Sequence, residues 1–342
     1  MREPPLVSAV VVVVHRAFEV GACLDSLLAQ DESSWEAVVV LNGATAEVSA
    51  DVERRAALDA RIRPIVVRGT TASQARNVGL SEARSSLLYF LDDDVEVPEG
   101  GIREVAELFA AHPDVAIAGG PNLTPPDDPR FARLTGALLA SPLGTGITHS
   151  RYECAPPGEA KERNLTLCNL AARRSLFRDG FAFPALFGGE ENVLMGQASE
   201  GGHRLWYSPK LWVHHRRRRT LSGYLSQIHR YGFGRAIALK GAPRTFHVAY
   251  FAPVMFLAYL VLAPFLARVS SWAFAPLALY AALTVVASLR AAIRARLFAA
   301  PLLLPPLFLA THLTYAVGLL RGLFRQTPAV ARQLASDSSR IL

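Results

Sequence analysis

The chain has 342 residues, 51% of them hydrophobic, with 36 Lys and Arg against 29 Asp and Glu and a formal net charge of +7. This length exceeds one ordinary domain and allows a substantial core. The basic excess does not indicate nucleic acid, because no recognised nucleic-acid motif accompanies it.

The basic residues crowd beside apolar sequence instead, at Arg216 to Arg219, Arg230, Arg235, Lys240, Arg244, Arg290, Arg294 and Arg296. That placement fits the positive-inside rule and contact with anionic lipid. Three cysteines, Cys23, Cys154 and Cys168, form no CxxC pair or metal-ligand spacing and suit packed thiols in a reducing compartment. Met1 to Pro5 lacks the charged region that leads into a cleavable apolar segment, so the first domain is expected to stay in the cytosol.

Val7 to Val14 is a continuous β-branched run, expected of a strand covered on both faces. Ala22 to Gln30 places Leu24, Leu27 and Leu28 at helical spacing, and Ala37 to Leu41 is a second strand closed by Asn42-Gly43. A helix over about 47–60, a strand from Ile62 to Val67, a helix from Ser73 to Ala83 and a strand from Leu87 to Leu91 follow. This alternation predicts a doubly wound, largely parallel sheet. A helix after Pro98-Glu99-Gly100 and a short strand from Val115 to Ala118 continue it. From Gly119 to Arg163, seven prolines predict irregular chain that lines an acceptor site or forms a lid. Leu165 to Ala172 reads as strand, and Phe187-Gly188-Gly189-Glu190-Glu191-Asn192 leads into a helix. Leu205 to Ser208 and Leu211 to His214 read as short strands.

Three apolar segments, roughly 248–267, 272–289 and 297–320, approach the ~20 residues needed to cross a bilayer. A third full span would put Arg321, Arg325, Arg332 and Arg340 outside, against the usual bias. Pro305-Pro306 splits that segment, so a re-entrant or interfacial course is the alternative to a span.

Asp92, Asp93 and Asp94 follow the apolar run Leu87 to Leu91. In a doubly wound sheet ligands bind beyond the carboxyl ends of strands, which is where this triplet falls. Three adjacent carboxylates repel one another unless a cation offsets them, and they offer hard oxygen ligands to a Mg²⁺- or Mn²⁺-diphosphate complex. The bland alternative is a solvated turn.

Four features in order carry a resemblance. Val7 to Val11 with Arg16 and Cys23 to Gln30, then Ala75-Arg76-Asn77-Val78-Gly79-Leu80, then Phe90-Leu91-Asp92-Asp93-Asp94, and last Gly188-Gly189-Glu190-Glu191 resemble glycosyltransferase family 2. The resemblance covers about residues 6 to 235. It implies a GT-A catalytic domain, Rossmann-like with a mostly parallel sheet. It also implies transfer of a sugar from a nucleotide-sugar donor to a hydroxyl, usually with inversion.

Residue by residue, the resemblance implies that Asp94, with Asp92 or Asp93, holds a Mg²⁺ or Mn²⁺ ion on the donor diphosphate, with Asp92 nearer the ribose. Glu191 occupies the position of the general base, where Asp is more usual, and Glu190 would orient the acceptor or a partner. Alone, Glu190 and Glu191 also read as first-turn acids favoured by a helix dipole. Arg76 suits donor phosphate or base by its planar guanidinium, or is a surface helix residue. His214-His215 is a candidate for the metal or diphosphate site, or an interfacial pair. Gln227-Ile228-His229-Arg230-Tyr231 is a relaxed form of the family's QxxRW element, in which Gln227 and Arg230 would hold the diphosphate. The other reading of this stretch is a membrane-surface helix with Tyr224, Leu225, Ile228 and Tyr231 facing down. Two departures concern the nucleoside. Leu41-Asn42-Gly43 stands where the family usually has Asp-Asp-Gly, and Val12-Val13-Val14-His15 replaces Pro-Thr-Tyr-Asn. Asn42 still offers hydrogen bonds to a base or ribose.

The expected organisation is a GT-A domain over 1–225, an amphipathic interface segment over 226–246, two to three membrane helices over 247–325 and a tail over 326–342. The expected activity is that of an inverting, metal-dependent glycosyltransferase of the inner membrane, multi-pass, with its catalytic domain cytoplasmic. Its partners would be a nucleotide-sugar donor, a lipid-linked or envelope-glycan acceptor and membrane lipid. The alternatives are a processive polysaccharide synthase and a catalytically inactive membrane scaffold.

Overall fold

A computed structural model describes residues 3–13, 20–68, 70–186 and 188–325. Val14, His15, Arg16, Phe187, Arg332, Arg340 and the 326–342 tail lie outside the described residues. The chain divides into two compact units, one of Met1–Leu123 with Glu153–His215, the other of Thr124–Tyr152 with Arg216–Gln326.

The first unit begins with β1 (Val7–Val13), buried at every position, then α1 (Val20–Leu28), β2 (Trp35–Asn42), α2 (Ala46–Leu58) and β3 (Ile62–Val67). It continues with α3 (Ala72–Glu82), β4 (Leu87–Asp92), β5 (Val95–Glu96), α4 (Gly101–Ala111), β6 (Val115–Gly119) and β7 (Asn122–Leu123). In the second unit α5 (Arg130–Ala140), α6 (Pro142–Thr145) and a 3-10 turn (Gly146–Arg151) follow. The prolines of the 119–163 stretch therefore bound a helix rather than leave irregular chain. Pro129 sits at its N-cap, and α5 buries Leu134, Leu138 and Leu139 at helical spacing.

The chain returns to the first unit with β8 (Gly158–Glu159), β9 (Asn169–Arg173), α7 (Arg174–Arg178), α8 (Glu190–Glu200), β10 (Arg204–Tyr207) and β11 (Val213–His215). The strand expected from Leu165 thus starts only at Asn169. The main sheet has the order β3-β2-β1-β4-β9-β6-β10-β8. β1, β2, β3 and β4 pair in parallel, and β9 runs antiparallel between β4 and β6. Alternate β1 side chains feed two cores. Val11 and Val13 meet Leu24, Leu27, Ile102 and Val105 on one face, while Val10 and Val12 meet Ala75, Leu194 and Met195 on the other. Burial on both faces explains the unbroken β-branched run. The order reverses beside β1, which has β2 on one side and β4 on the other, and Asp92 pairs with Val12 at that reversal. This is the topological switch point, where open α/β sheets bind ligands.

The second unit adds α9 (Leu221–Gly241), α10 (Ala252–Leu266), α11 (Ala275–Arg294) and α12 (Ala300–Phe324). Its core joins Leu138 of α5, Tyr224 and Ile228 of α9, Ala292 of α11 and Leu304, Leu307 and Phe308 of α12. The downward stripe read for a membrane-surface helix is therefore split. Tyr224 and Ile228 are buried inside this unit, and Tyr231 is exposed. Pro305-Pro306 does not break α12, which runs through both residues. They fall in its first two turns and remove only two ladder bonds.

Candidate active site

The small sheet β5-β11-β7 sits at the carboxyl end of β4 and pairs His215 with Val95. That register brings the His215 imidazole to the aspartate triplet, with Nε2 3.1 Å from Asp94 Oδ1. The other ring nitrogen, Nδ1, lies 3.7 Å from Cys168 Sγ. Burial lowers the His215 pKa, but Asp94 and then Cys168 outweigh it and push it up to about 10. His214 points elsewhere, its ring against Trp212.

β11 is tied to the sheet by Asn169, fully buried on β9. Its Nδ2 donates to the Leu211 carbonyl, and its Oδ1 accepts from Tyr89 Oη at 2.7 Å. Asn169 thus couples β4, which ends in the triplet, to the strand that carries His215.

The third contributor is α3, which starts at Thr71 with a capping box closed by Gln74. One buried guanidinium joins two sequence-distant acids. Arg76 Nη2 donates to Asp92 Oδ1 at 2.8 Å, and Nη1 donates to Glu190 Oε1 at 3.2 Å. Burial lowers the Arg76 pKa, yet Asp92 and Glu190 raise it further, so the charge persists.

Glu190 and Glu191 occupy the first turn of α8, behind Gly188 and Gly189 at φ +95° and +81°. Only glycine adopts such angles without strain, so the pair turns the chain sharply into the helix. The preceding loop is clamped to α3. Asn77 Nδ2 donates to the Phe183 carbonyl at 2.9 Å, and Asn77 Oδ1 accepts from Phe183 N at 3.1 Å. Ser73 Oγ donates to the Leu186 carbonyl at 3.4 Å. Asn77 and Asn169 hold these segments together and carried no role in the sequence reading; only the run Ala75 to Leu80 marked the first. Glu191 is half-exposed and accepts from Asn192 Nδ2 at 2.7 Å.

Charge in this patch is unbalanced. Burial, and then Glu191, raise Glu190 to about 7 against the opposing pull of Arg76. Burial pushes the Cys23 thiol up, and Asp93, Asp94 and Asp92 push it further. The three aspartates thus place negative charge beside Cys23 at the end of β4.

The structure gathers Arg76, Asp92, Asp94, Glu190 and His215, with Asp93 buried in the turn between Asp92 and Asp94. Asn42 is committed elsewhere. Its Nδ2 donates to the Thr70 carbonyl at 3.1 Å, and its Oδ1 accepts from Thr70 Oγ1 at 2.9 Å. Gln227 and Arg230 lie on α9 in the second unit, where Arg230 Nη1 donates to Ser226 Oγ at 3.1 Å. The arginine run is partly used as well. Arg216 pairs with Asp127 at 2.8 Å, and Arg217 donates from Nε to Thr124 Oγ1 at 3.0 Å.

Among the described residues no group of three His, Cys, Asp or Glu side chains is arranged to hold an ion by itself. A diphosphate-bound Mg²⁺ or Mn²⁺ needs no such cage, because it takes one or two carboxylates from the protein and the rest from phosphate and water. Asp92 and Asp94, at the switch point, fit that smaller donor set.

A mixed α/β unit with an acidic edge at its switch point is the architecture of GT-A sugar transferases. The family described as "Glycosyl transferase family 2" matches residues 8–181, and the chain belongs to it. An "Uncharacterized glycosyltransferase EpsJ" of Bacillus subtilis (strain 168) is 34% identical over 106 residues, which span 30% of each chain. A solved structure, "Mannosyltransferase PcManGT from Pyrobaculum calidifontis in complex with GDP-Man and Mn2+", superimposes with a TM-score of 0.59 at 20% identity. That superposition covers 95% of this chain and 88% of the other, and it bears out the GT-A fold.

Proposed function

We propose that this chain is a membrane-anchored, inverting glycosyltransferase. It moves a sugar from a nucleotide-sugar donor to a hydroxyl of a lipid-linked or cell-envelope glycan acceptor. The observation that carries this reading is the Arg76 bridge. It ties the acidic edge of β4 to the Glu190-Glu191 turn, so the donor-handling and acceptor-handling acids form one electrostatic unit.

Asp94, with Asp92, would hold a divalent ion, which when bound neutralises charge on the departing nucleoside diphosphate. Glu191 accepts the acceptor hydroxyl proton as the acceptor oxygen bonds to the anomeric carbon. The bond from that carbon to the donor phosphate breaks on the opposite face, which inverts the configuration. Glu190, held by Arg76 in the first turn of α8, would orient the acceptor. GDP-mannose with Mn²⁺ is the first donor to assay, alongside uridine-linked sugars.

Glu191→Gln is expected to lower transfer by about 100-fold or more, since general-base catalysis contributes roughly 10²–10⁴-fold. Mn²⁺-dependent nucleotide binding should survive in that variant. Asp94→Ala should lose the Mn²⁺ dependence of binding in titration calorimetry. Full transfer by Glu191→Gln would sink the base assignment, and equal wild-type binding with and without Mn²⁺ would sink the metal site.

A further inference from the structure

Among the described residues three segments are long and apolar enough to cross a bilayer, Val248–Leu266, Ser271–Arg294 and Ala300–Phe324. Their surroundings differ. In α10 only Ala263 is buried, and Met255, Val261, Leu262 and Phe265 are exposed. In α11 only the stripe Thr284, Ser288 and Ala292 is buried, and Leu279, Leu283, Val286 and Ile293 face outward. In α12 no residue from Leu307 to Ala316 is exposed.

α9 covers the second half of α12 at backbone contact. A Cβ on Gly232 would overlap the Tyr315 carbonyl, and one on Gly318 would overlap the His229 carbonyl. The same helix pair is joined by Tyr224 Oη and Thr311 Oγ1 at 2.9 Å. Lys240 Nζ then donates at 2.9 Å to each of the Gly322, Leu323 and Arg325 carbonyls. The end of α12 is therefore fastened to a residue that closely precedes Val248, where the first apolar segment starts.

We propose that the chain crosses the bilayer twice, through α10 and α11, and that α12 lies in the membrane plane with both ends on the side where α10 starts. Three crossings would set Lys240 and Arg325 on opposite faces, separated by roughly 30 Å of hydrocarbon. The hydrogen bonds between them require an even number of crossings. Exposure selects which helices cross, because α10 and α11 present bare apolar surface while α12 is wrapped.

A spanning α12 would also draw Arg230, Arg235 and Lys240 of α9 into hydrocarbon, which is costly for charged side chains. The outward residues of α12, Leu302, Leu303, Pro306, Val317, Arg321 and Phe324, recur at helical spacing, as an in-plane helix with one face in the acyl boundary and a basic residue near its end requires. Its inner face carries His312, whose Nε2 pairs with the Leu143 carbonyl at 2.9 Å. The flanking charges agree. The turn between α10 and α11 carries only Arg268, with Trp272 81% exposed beside it, whereas Lys240, Arg244, Arg290, Arg294, Arg296, Arg321 and Arg325 share the other side. Positive-inside bias makes that richer side cytoplasmic. The sequence-level conflict over Arg321 and Arg325 then disappears.

This topology rests on the membrane anchoring proposed above, and the two can fail separately. This chain carrying Cys154→Ser retains only the buried Cys23 and Cys168. Single cysteines are placed in it at Arg244, Val269 or Arg325 and exposed to an impermeant maleimide in sealed vesicles of known orientation. Arg244→Cys and Arg325→Cys are expected to react from one face and Val269→Cys only from the other. Reaction of Arg325→Cys from the Val269 face, or from neither face, would overturn the in-plane helix. Reaction of Val269→Cys from the Arg244 face would overturn the crossing hairpin. Release of the wild-type chain from membranes by alkaline carbonate would instead overturn the anchoring itself.

Discussion

Arg76 donates to Asp92 and Glu190 from one buried guanidinium, so each acid is held by a side chain from another element. Glu190 shows the consequence. Its folded pKa of about 7, raised by burial and then by Glu191, stands above the ordinary 4.5. The folded state therefore binds the proton more tightly than the unfolded chain does. Its stabilising contribution is fully present below pH 4.5 and is lost as pH rises through about 7. Glu190→Gln should flatten that part of the thermal-stability profile between pH 4.5 and 7. An unchanged slope in the variant would show that Glu190 titrates normally. Asn42 is the contrasting residue. Its place at a strand end was evident, but its reciprocal bonds to Thr70 depend on a partner from the next loop.

At the level of elements, α3 acts as the splint of the site. Gly79 lets it lie on the sheet, since a Cβ there would come within 2.5 Å of Val10 Cγ1. From that position Arg76 reaches the acids and Asn77 holds the loop before α8. Asn77→Ala leaves the Phe183 backbone groups without their partner, at a cost of about 1–3 kcal/mol. Transfer should fall with little change in nucleotide affinity, because the loop aims Glu190 and Glu191 rather than the triplet. Separate measurement of kcat and nucleotide Kd checks this, and a matching loss in Kd would refute it.

The strands up to β4 were readable because local β-branched runs and both-face burial agree. The Arg76–Glu190 bond was not readable, because 114 positions separate the two residues and no periodicity links them. The helix α5 was missed because its bounding prolines masked an ordinary apolar spacing of Leu134, Leu138 and Leu139.

Over the whole molecule, the two units are built on different physics. The first has a two-faced sheet core, and the second has helices packed on small residues with much apolar surface left bare. Gly232→Leu should separate α9 from α12, because its side chain meets the Tyr315 carbonyl. Overpacking of this kind costs about 1–3 kcal/mol. Limited proteolysis of the full chain in detergent should cut faster within the second unit, while the thermal shift produced by nucleotide and Mn²⁺ persists. Equal protease resistance would count against that packing.

The amino-acid order alone determined the sheet's early strands, the acidic triplet at a strand end, the glutamate pair after two glycines and the three apolar segments. Each of these is a local pattern of side-chain period, β-branching or charge, written within about twenty residues. Tertiary structure alone decided that His215 rather than His214 faces Asp94, that Arg76 links the two acid groups, that Asn42 is closed on Thr70 and that Lys240 holds the end of α12. Those outcomes depend on strand register and helix crossing between distant segments, where a shift of one residue turns a side chain to the other face.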